Sequence, residues 1–192
     1  MILVVDHYDS FINLICDYLY QIDCKYKIVT TDNLTLDILD KYQPTHLILG
    51  PGPGHPNDQS LALVKPLISA AIKTKIPILG ICLGHQIIGT YFGHKVSQAK
   101  FILHGKQSII EHSQHGIFAN VPSPLKVARY NSLLIENFAT KCSELSITAL
   151  SENNEVMAIE HNFLNIYGIQ FHPESILTEH GKIILSNFCR LV

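Results

Sequence analysis

The stretch Ile76-Pro77-Ile78-Leu79-Gly80-Ile81-Cys82-Leu83-Gly84-His85-Gln86 decides how this chain is read. An apolar run ends in Gly-x-Cys-x-Gly and passes straight into a segment of helical character. A strand apolar on both sides fits the interior of a parallel sheet covered on both faces. The two glycines let the chain turn where a Cβ would clash, as in the G-x-S-x-G elbow that lifts a nucleophile above an α/β sheet. The turn also sets the thiol at a helix N-terminus, where the dipole favours negative charge. An isolated cysteine is ordinarily a small buried hydrophobe, the better reading of Cys16 and Cys189. At Cys82 the strand-turn-helix context points instead to a nucleophile.

Upstream, residues 2–5, 27–30 and 45–49 read as strands. Helical patterns at 11–21 (capped by Asp9 or Ser10), 34–41 and 60–73 alternate with them. This alternation implies a parallel sheet with helices on both faces. Beyond about residue 95 the pattern changes to short alternating runs at 107–111, 125–129, 146–150, 156–160 and 166–171, with a turn at 151–154. These predict antiparallel strands, and residues 178–191 predict a closing helix. The expectation is one α/β domain over residues 1–192, built on a mixed sheet.

Composition narrows the function. Hydrophobic residues make up 47% and charged residues 16%, which excludes general disorder. Fourteen Lys and Arg against 16 Asp and Glu give a net charge of -2, against a dedicated nucleic-acid binder. Five scattered cysteines, Cys16, Cys24, Cys82, Cys142 and Cys189, contain no C-x-x-C and point to a reducing compartment. The N-terminus lacks the basic region of a signal peptide, and no apolar run reaches the roughly 18 residues of a membrane span. A soluble, cytoplasmic protein is expected.

Two further loops carry chemistry at the carboxyl ends of strands, where α/β sheets bind ligands. In Gly168-Ile169-Gln170-Phe171-His172-Pro173-Glu174-Ser175, His172 and Glu174 are two apart, so on an extended chain both side chains point the same way. A carboxylate orienting an imidazole that serves a thiol is triad logic. His-x-Glu alone is an ordinary surface pair, all the more with eleven histidines in the chain; beside a cysteine elbow it becomes base and orienter. In Gly50-Pro51-Gly52-Pro53-Gly54-His55-Pro56 the prolines have no N–H. A second oxyanion donor to accompany Leu83 N–H must therefore come from Gly52 or Gly54, and Gly54 is favoured. No G-K-[ST] follows, so this is not a phosphate loop.

With these loops in view, Gly-Ile-Cys-Leu-Gly-His-Gln together with Gln-Phe-His-Pro-Glu-Ser resembles the class I, triad-type glutamine amidotransferases, over nearly the whole chain. Further stretches are similar to the glutaminase subunits of anthranilate and aminodeoxychorismate synthases: Asp6-His7-Tyr8-Asp9-Ser10-Phe11, His104-Gly105-Lys106, Ala128-Arg129-Tyr130-Asn131-Ser132-Leu133 and His172-Pro173-Glu174-Ser175-Ile176-Leu177-Thr178. The resemblance implies a three-layer, flavodoxin-like mixed sheet and hydrolysis of L-glutamine to glutamate and ammonia. Cys82 would form a thioester, His172 would move the protons and Glu174 would hold His172. Gly52, Pro53, Gly54, Gln86, Ser132 and Leu133 would bind glutamine. His7 and Asn131 depart from the family, which usually has Asn and His there, as does Asn57-Asp58-Gln59-Ser60.

The resemblance further implies a larger chorismate-using synthase subunit that takes the ammonia, and His104-Gly105-Lys106 and the surface around Ser175-Ile176-Leu177 are expected to face it. No metal or organic cofactor is expected, since His104, His112 and His115 have poor spacing for a metal site. Carbamoyl-phosphate synthase small subunits carry an extra domain before the glutaminase, where only 81 residues precede Cys82 here. GMP synthetases continue into an ATP-using domain, and histidine-pathway glutaminases typically have Met where His85 stands. The alternatives are a stand-alone γ-glutamyl or cysteine hydrolase, and a catalytically silent α/β interaction module.

Overall fold

A computed structural model describes residues 1–100, 102–139 and 143–191, so that Cys142 lies outside the described residues. Along the first half run β1 (Ile2–Asp6), α1 (Ile12–Gln21), β2 (Tyr26–Thr30), α2 (Ile38–Tyr42), β3 (His46–Leu49), α3 (Val64–Lys73), β4 (Ile78–Ile81) and α4 (Leu83–Tyr91). Then follow β5 (Val96–Gln98), β6 (Lys106–His112), β7 (Leu125–Arg129), β8 (Leu133–Ile135), β9 (Leu145–Ser151), β10 (Val156–His161), β11 (Ile166–Ile169) and α5 (Gly181–Cys189).

Nine strands form one sheet in the order β2-β1-β3-β4-β11-β10-β9-β6-β7, while β5 and β8 make a separate antiparallel ribbon. The first five are mutually parallel, with Val5 opposite both Val29 and Leu49, and Gly80 opposite Gly168. The last four continue antiparallel. The fold is α/β with a mixed sheet, as the alternation of patterns predicts.

The parallel strands are buried on both sides, and successive side chains feed different cores. Ile2 and Val4 of β1 pack with Ile15 and Leu19 of α1 and with Ile184 and Phe188 of α5. Leu3 and Val5 pack on the opposite face with Ile38 of α2, Ile68 of α3 and Ile87 of α4. Each such side chain contributes about 1.5–3 kcal/mol on burial, and a polar residue at any of them would forfeit it. This is why β1 reads as an unbroken apolar run.

The antiparallel half curls. The far edge strand β7 bends back to the segment just after the central strand β11, where Ala128 bridges His172. His172 N–H donates to Ala128 O at 3.1 Å, and Thr178 Oγ1 accepts from Ala128 N–H and donates to His172 O at 2.6 Å. Residues distant in the sheet order thus meet at one point.

Some boundaries differ from the sequence expectation. The helix expected at 34–41 is only Ile38–Tyr42, because Leu34 serves the core from a preceding 3-10 turn. The expected helix 60–73 begins at Val64 behind a similar turn. The closing helix begins at Gly181, since Thr178 is engaged with His172. Asp9 accepts from Phe11 N–H at 2.8 Å and so shapes the turn before α1, without a side-chain bond at the helix cap itself.

Candidate active site

Cys82 sits between β4 and α4 with φ 53° and ψ −102°, a conformation costly for any L-residue and characteristic of functional turns. The neighbouring strands hold it there. Cys82 N–H donates to Ile169 O at 2.9 Å, and Gly84 N–H to Gly50 O at 3.2 Å. A Cβ on Gly84 would lie 2.1 Å from Leu49 O, and one on Gly80 would lie 2.4 Å from the Gly84 carbonyl carbon. The elbow needs both glycines for close backbone approach.

His172 and Glu174 stand beyond β11, both buried, with His172 Nδ1 and Glu174 Oε1 2.6 Å apart. Pro173 between them presses against Gly181 at the start of α5. Burial alone would lower the imidazole pKa, but the neighbouring Cys82 and Glu174 outweigh it and raise it to about 10. Nε2, the nitrogen not engaged by Glu174, has no hydrogen-bond partner of ordinary geometry among the described residues. Cys82 nevertheless stands close enough to raise the imidazole pKa, by hydrogen bonding first and by charge last. The rings of Phe11 and Tyr130 pack against the imidazole, at 5.2 and 5.0 Å between centroids, and confine it.

A cavity of about 140 Å3 opens onto Cys82 and is lined by Gly52, Pro53, Gly54, Cys82, Leu83, Gln86, Tyr130, Asn131, Ser132 and Leu133. Every residue that the sequence assigned to glutamine or to the oxyanion is on that wall. Gly54 takes φ +90°, with its Cα against Asp58, whose carboxylate accepts from His55 N–H at 2.8 Å and shapes the loop. Among the described residues neither Gly54 N–H nor Leu83 N–H donates to a protein acceptor, so both donors are available to a ligand. Larger clefts, about 430 Å3 beside Phe163 and about 400 Å3 beside Tyr42, contain neither Cys82 nor His172.

Gln86, expected to bind glutamine, has its amide donors already engaged within the protein. Its Nε2 donates to Leu133 O and to Gln170 Oε1, each at 3.0 Å, so only its carbonyl oxygen remains. Gln170 is a site residue that sequence reasoning missed. A glutamine inside an otherwise apolar run, Ile166 to Phe171, was the available signal, since buried polar groups need partners. Arg129 was also missed. It is fully buried, pairs with Glu155 at 2.6 Å, and its Nε donates to Asn131 at 3.1 Å.

Two buried histidines lie beneath the site and are held neutral. Desolvation lowers His85 to about 3 and His7 to about 4. His85 occupies the space left by the missing side chain of Gly168, and His7 bonds Thr31 at 2.6 Å. For a histidine with a lowered folded-state pKa, the unfolded chain binds the extra proton below about pH 6.5, so stability falls as pH falls. For His85 the loss is about 1.4 kcal/mol per pH unit between pH 6 and 4. Urea midpoints at pH 7 and 5 measure this, and His85→Leu should flatten the difference. An unchanged pH slope in that variant would contradict a neutral buried His85.

The segments assigned to a partner are adjacent. His104, Gly105 and Lys106 are exposed, Ile176 is 95% exposed, and Gln107 Nε2 donates to Leu177 O at 2.8 Å, tying the two segments together. The His104 ring meets Tyr130 of the cavity wall at 5.6 Å. His112 stacks on Phe118 and His115 faces Glu160, so His104, His112 and His115 have separate partners.

The class I glutamine amidotransferase family model matches residues 3–192. The chain is 41% identical to the bifunctional protein TrpGD of Thermotoga maritima, covering 99% of this chain and 32% of that protein, about a third of its length. It is also 41% identical to the aminodeoxychorismate/anthranilate synthase component 2 of Bacillus subtilis, covering 98% of this chain and 95% of that one. Among solved structures, a putative GMP synthase subunit from Thermoplasma acidophilum superimposes with a TM-score of 0.84 at 28% identity, over 97% of this chain and 90% of that one. With the family match spanning both the elbow and the His172–Glu174 pair, the chain belongs to the class I glutamine amidotransferase family.

Proposed function

We propose that residues 1–192 act as one glutamine amidotransferase domain, the glutaminase subunit that supplies ammonia to a larger chorismate-using synthase. The observation that carries the chemistry is the meeting of Cys82, in its strained elbow on the wall of an amino-acid-sized cavity, with the buried His172–Glu174 pair beside it. Cys82 attacks the side-chain amide carbon of glutamine, and the oxyanion forms between the Leu83 and Gly54 N–H groups. Protonated His172 gives its Nε2 proton to the leaving nitrogen, and ammonia departs. The imidazole, now neutral, takes a proton from the water that attacks the thioester, and glutamate leaves as Cys82 is restored. Glu174 accepts from Nδ1–H throughout and fixes the ring. Gly52, Pro53, Ser132 and Leu133 shape the pocket, and the Gln86 carbonyl oxygen accepts from the substrate.

The partner role rests on family membership and on the adjacent exposed segments carrying His104, Lys106, Ile176 and Leu177, a rim that meets the cavity wall where the His104 ring contacts Tyr130. The name of the Bacillus subtilis relative couples both synthases, which supports a glutaminase that can serve either. Among the described residues no helix is long and apolar enough to cross a membrane, in keeping with a cytoplasmic complex. The test is glutamate release by the purified chain, first by itself and then with each candidate synthase partner. Weak activity alone and a strong rise with one partner support the reading and name the pathway; stimulation by both means that the chain is shared. Full activity alone would favour a stand-alone hydrolase, and none under any condition a silent module. Lys106→Glu should weaken stimulation, and unchanged stimulation would remove that rim from the interface.

A further inference from the structure

Gln170 has no solvent exposure, and its Nε2 lies 3.6 Å from Cys82 Sγ. The direction of that contact is dictated from several residues away. Arg129 is a donor only, and its Nε points at Asn131, so Asn131 must turn its carbonyl to Arg129 and its NH2 elsewhere. That NH2 donates to Leu133 O at 2.9 Å. Leu133 O, an acceptor only, also takes an N–H from Gln86 at 3.0 Å, which fills both of its lone pairs. Gln86 therefore presents its second N–H to Gln170, whose carbonyl must face Gln86. The Gln170 NH2 is left facing sulfur. A buried amide is normally free to flip by half a turn; here the chain of partners, anchored by a guanidinium, permits one orientation.

We propose that Gln170 is a further catalytic residue, whose amide N–H holds the Cys82 sulfur while it carries negative charge. This rests on the reading of Cys82 as nucleophile. A neutral thiol accepts weakly, so an N–H buried against it is poorly satisfied. A thiolate accepts strongly, and a charge-assisted bond is about twice as strong as a neutral one. The contact therefore favours the anion both before attack and when the thioester collapses and expels the sulfur. In the thioester itself the sulfur is neutral and the contact relaxes, so the contact raises the population of attacking thiolate and favours the step that expels the sulfur, where its charge develops.

The experiment compares the wild-type chain with Gln170→Met, which keeps length and removes the donor. Iodoacetamide alkylation of Cys82 is followed against pH by peptide-resolved mass spectrometry, beside glutamine kinetics. Alkylation at neutral pH should slow about tenfold, with its profile moving up by about one pH unit. The kcat for glutamate release should fall by a similar factor with KM nearly unchanged. A folded variant with the wild-type alkylation profile and kcat overturns the inference. If Gln170→Met does not fold, Gln170→Asn keeps the amide but withdraws it from sulfur, and the same shift or its absence decides. A wild-type chain with neither selectively reactive Cys82 nor glutamate release would sink the glutaminase reading itself, a result separable from failure of Gln170 alone.

Discussion

Cys82→Ser is expected to lower glutamate release about ten-thousandfold or more, the scale of losing a covalent nucleophile, with the fold retained. Serine fits the elbow, since the strain at φ 53° is in the backbone and the side chain shrinks slightly. The loss is chemical. In the native site Cys82 and Glu174 bias the imidazole to its protonated form, with a pKa raised to about 10, which in the proposed mechanism makes it first a proton donor to the leaving nitrogen. A hydroxyl needs a base before it can attack. Glu174, 2.6 Å from Nδ1, still orients the ring, but a hydroxyl is far less acidic than a thiol and a weaker nucleophile, so attack is slow even with the imidazole in place. Initial rates with a synthase partner present, beside circular dichroism, make the measurement. Serine activity within tenfold of wild type would show that sulfur is not the attacking atom.

Gly181→Ala should be nearly as damaging from outside the cavity. A Cβ at Gly181 would lie 1.7 Å from the carbonyl oxygen of Pro173, a backbone atom that cannot swing aside. Pro173 joins His172 to Glu174, so relief of the clash must move either the start of α5 or the pair itself. Overpacking of this kind costs about 1–3 kcal/mol, with a backbone clash at the upper end, and misplacing a reacting group by about 1 Å costs about a hundredfold in rate. Thermal melting and glutamate release should both fall. Wild-type values for both would mean that the α5 start yields freely and does not brace the pair.

The sequence made the parallel half legible because β1, β3 and β4 are buried on both faces and appear as unbroken apolar runs. The elbow was legible because Gly80 and Gly84 are required by backbone approach, a constraint that leaves a mark in residue type. What did not show were features made by distant partners. The β5–β8 ribbon has three-residue strands, too short for any periodicity. The bridge between Ala128 and His172 joins residues 44 apart in the chain through the curl of the sheet. Arg129 reads as an ordinary surface charge until Glu155 is seen beside it. The orientation of Gln86 follows from which atoms of Leu133, Asn131 and Arg129 face it, and residue types alone do not encode that. The residues assigned to glutamine thus lie on the cavity wall beside Tyr130 and Asn131, which were not assigned to it, and the wiring behind that wall did not show in the sequence.

The sheet order also bears on how the chain is made. Residues 2–81 supply β2, β1, β3 and β4, but the neighbour that completes β4 is β11, supplied only by residues 166–169. A growing chain therefore carries an uncapped edge on Ile78-Leu79-Gly80-Ile81, four buried and mostly apolar residues, throughout the synthesis of the antiparallel half. Exposed apolar edges of this kind recruit other chains. Ribosome-bound fragments ending before residue 166 should therefore engage chaperones or aggregate, and release from both should coincide with emergence of β11, the same step that delivers His172 to Cys82.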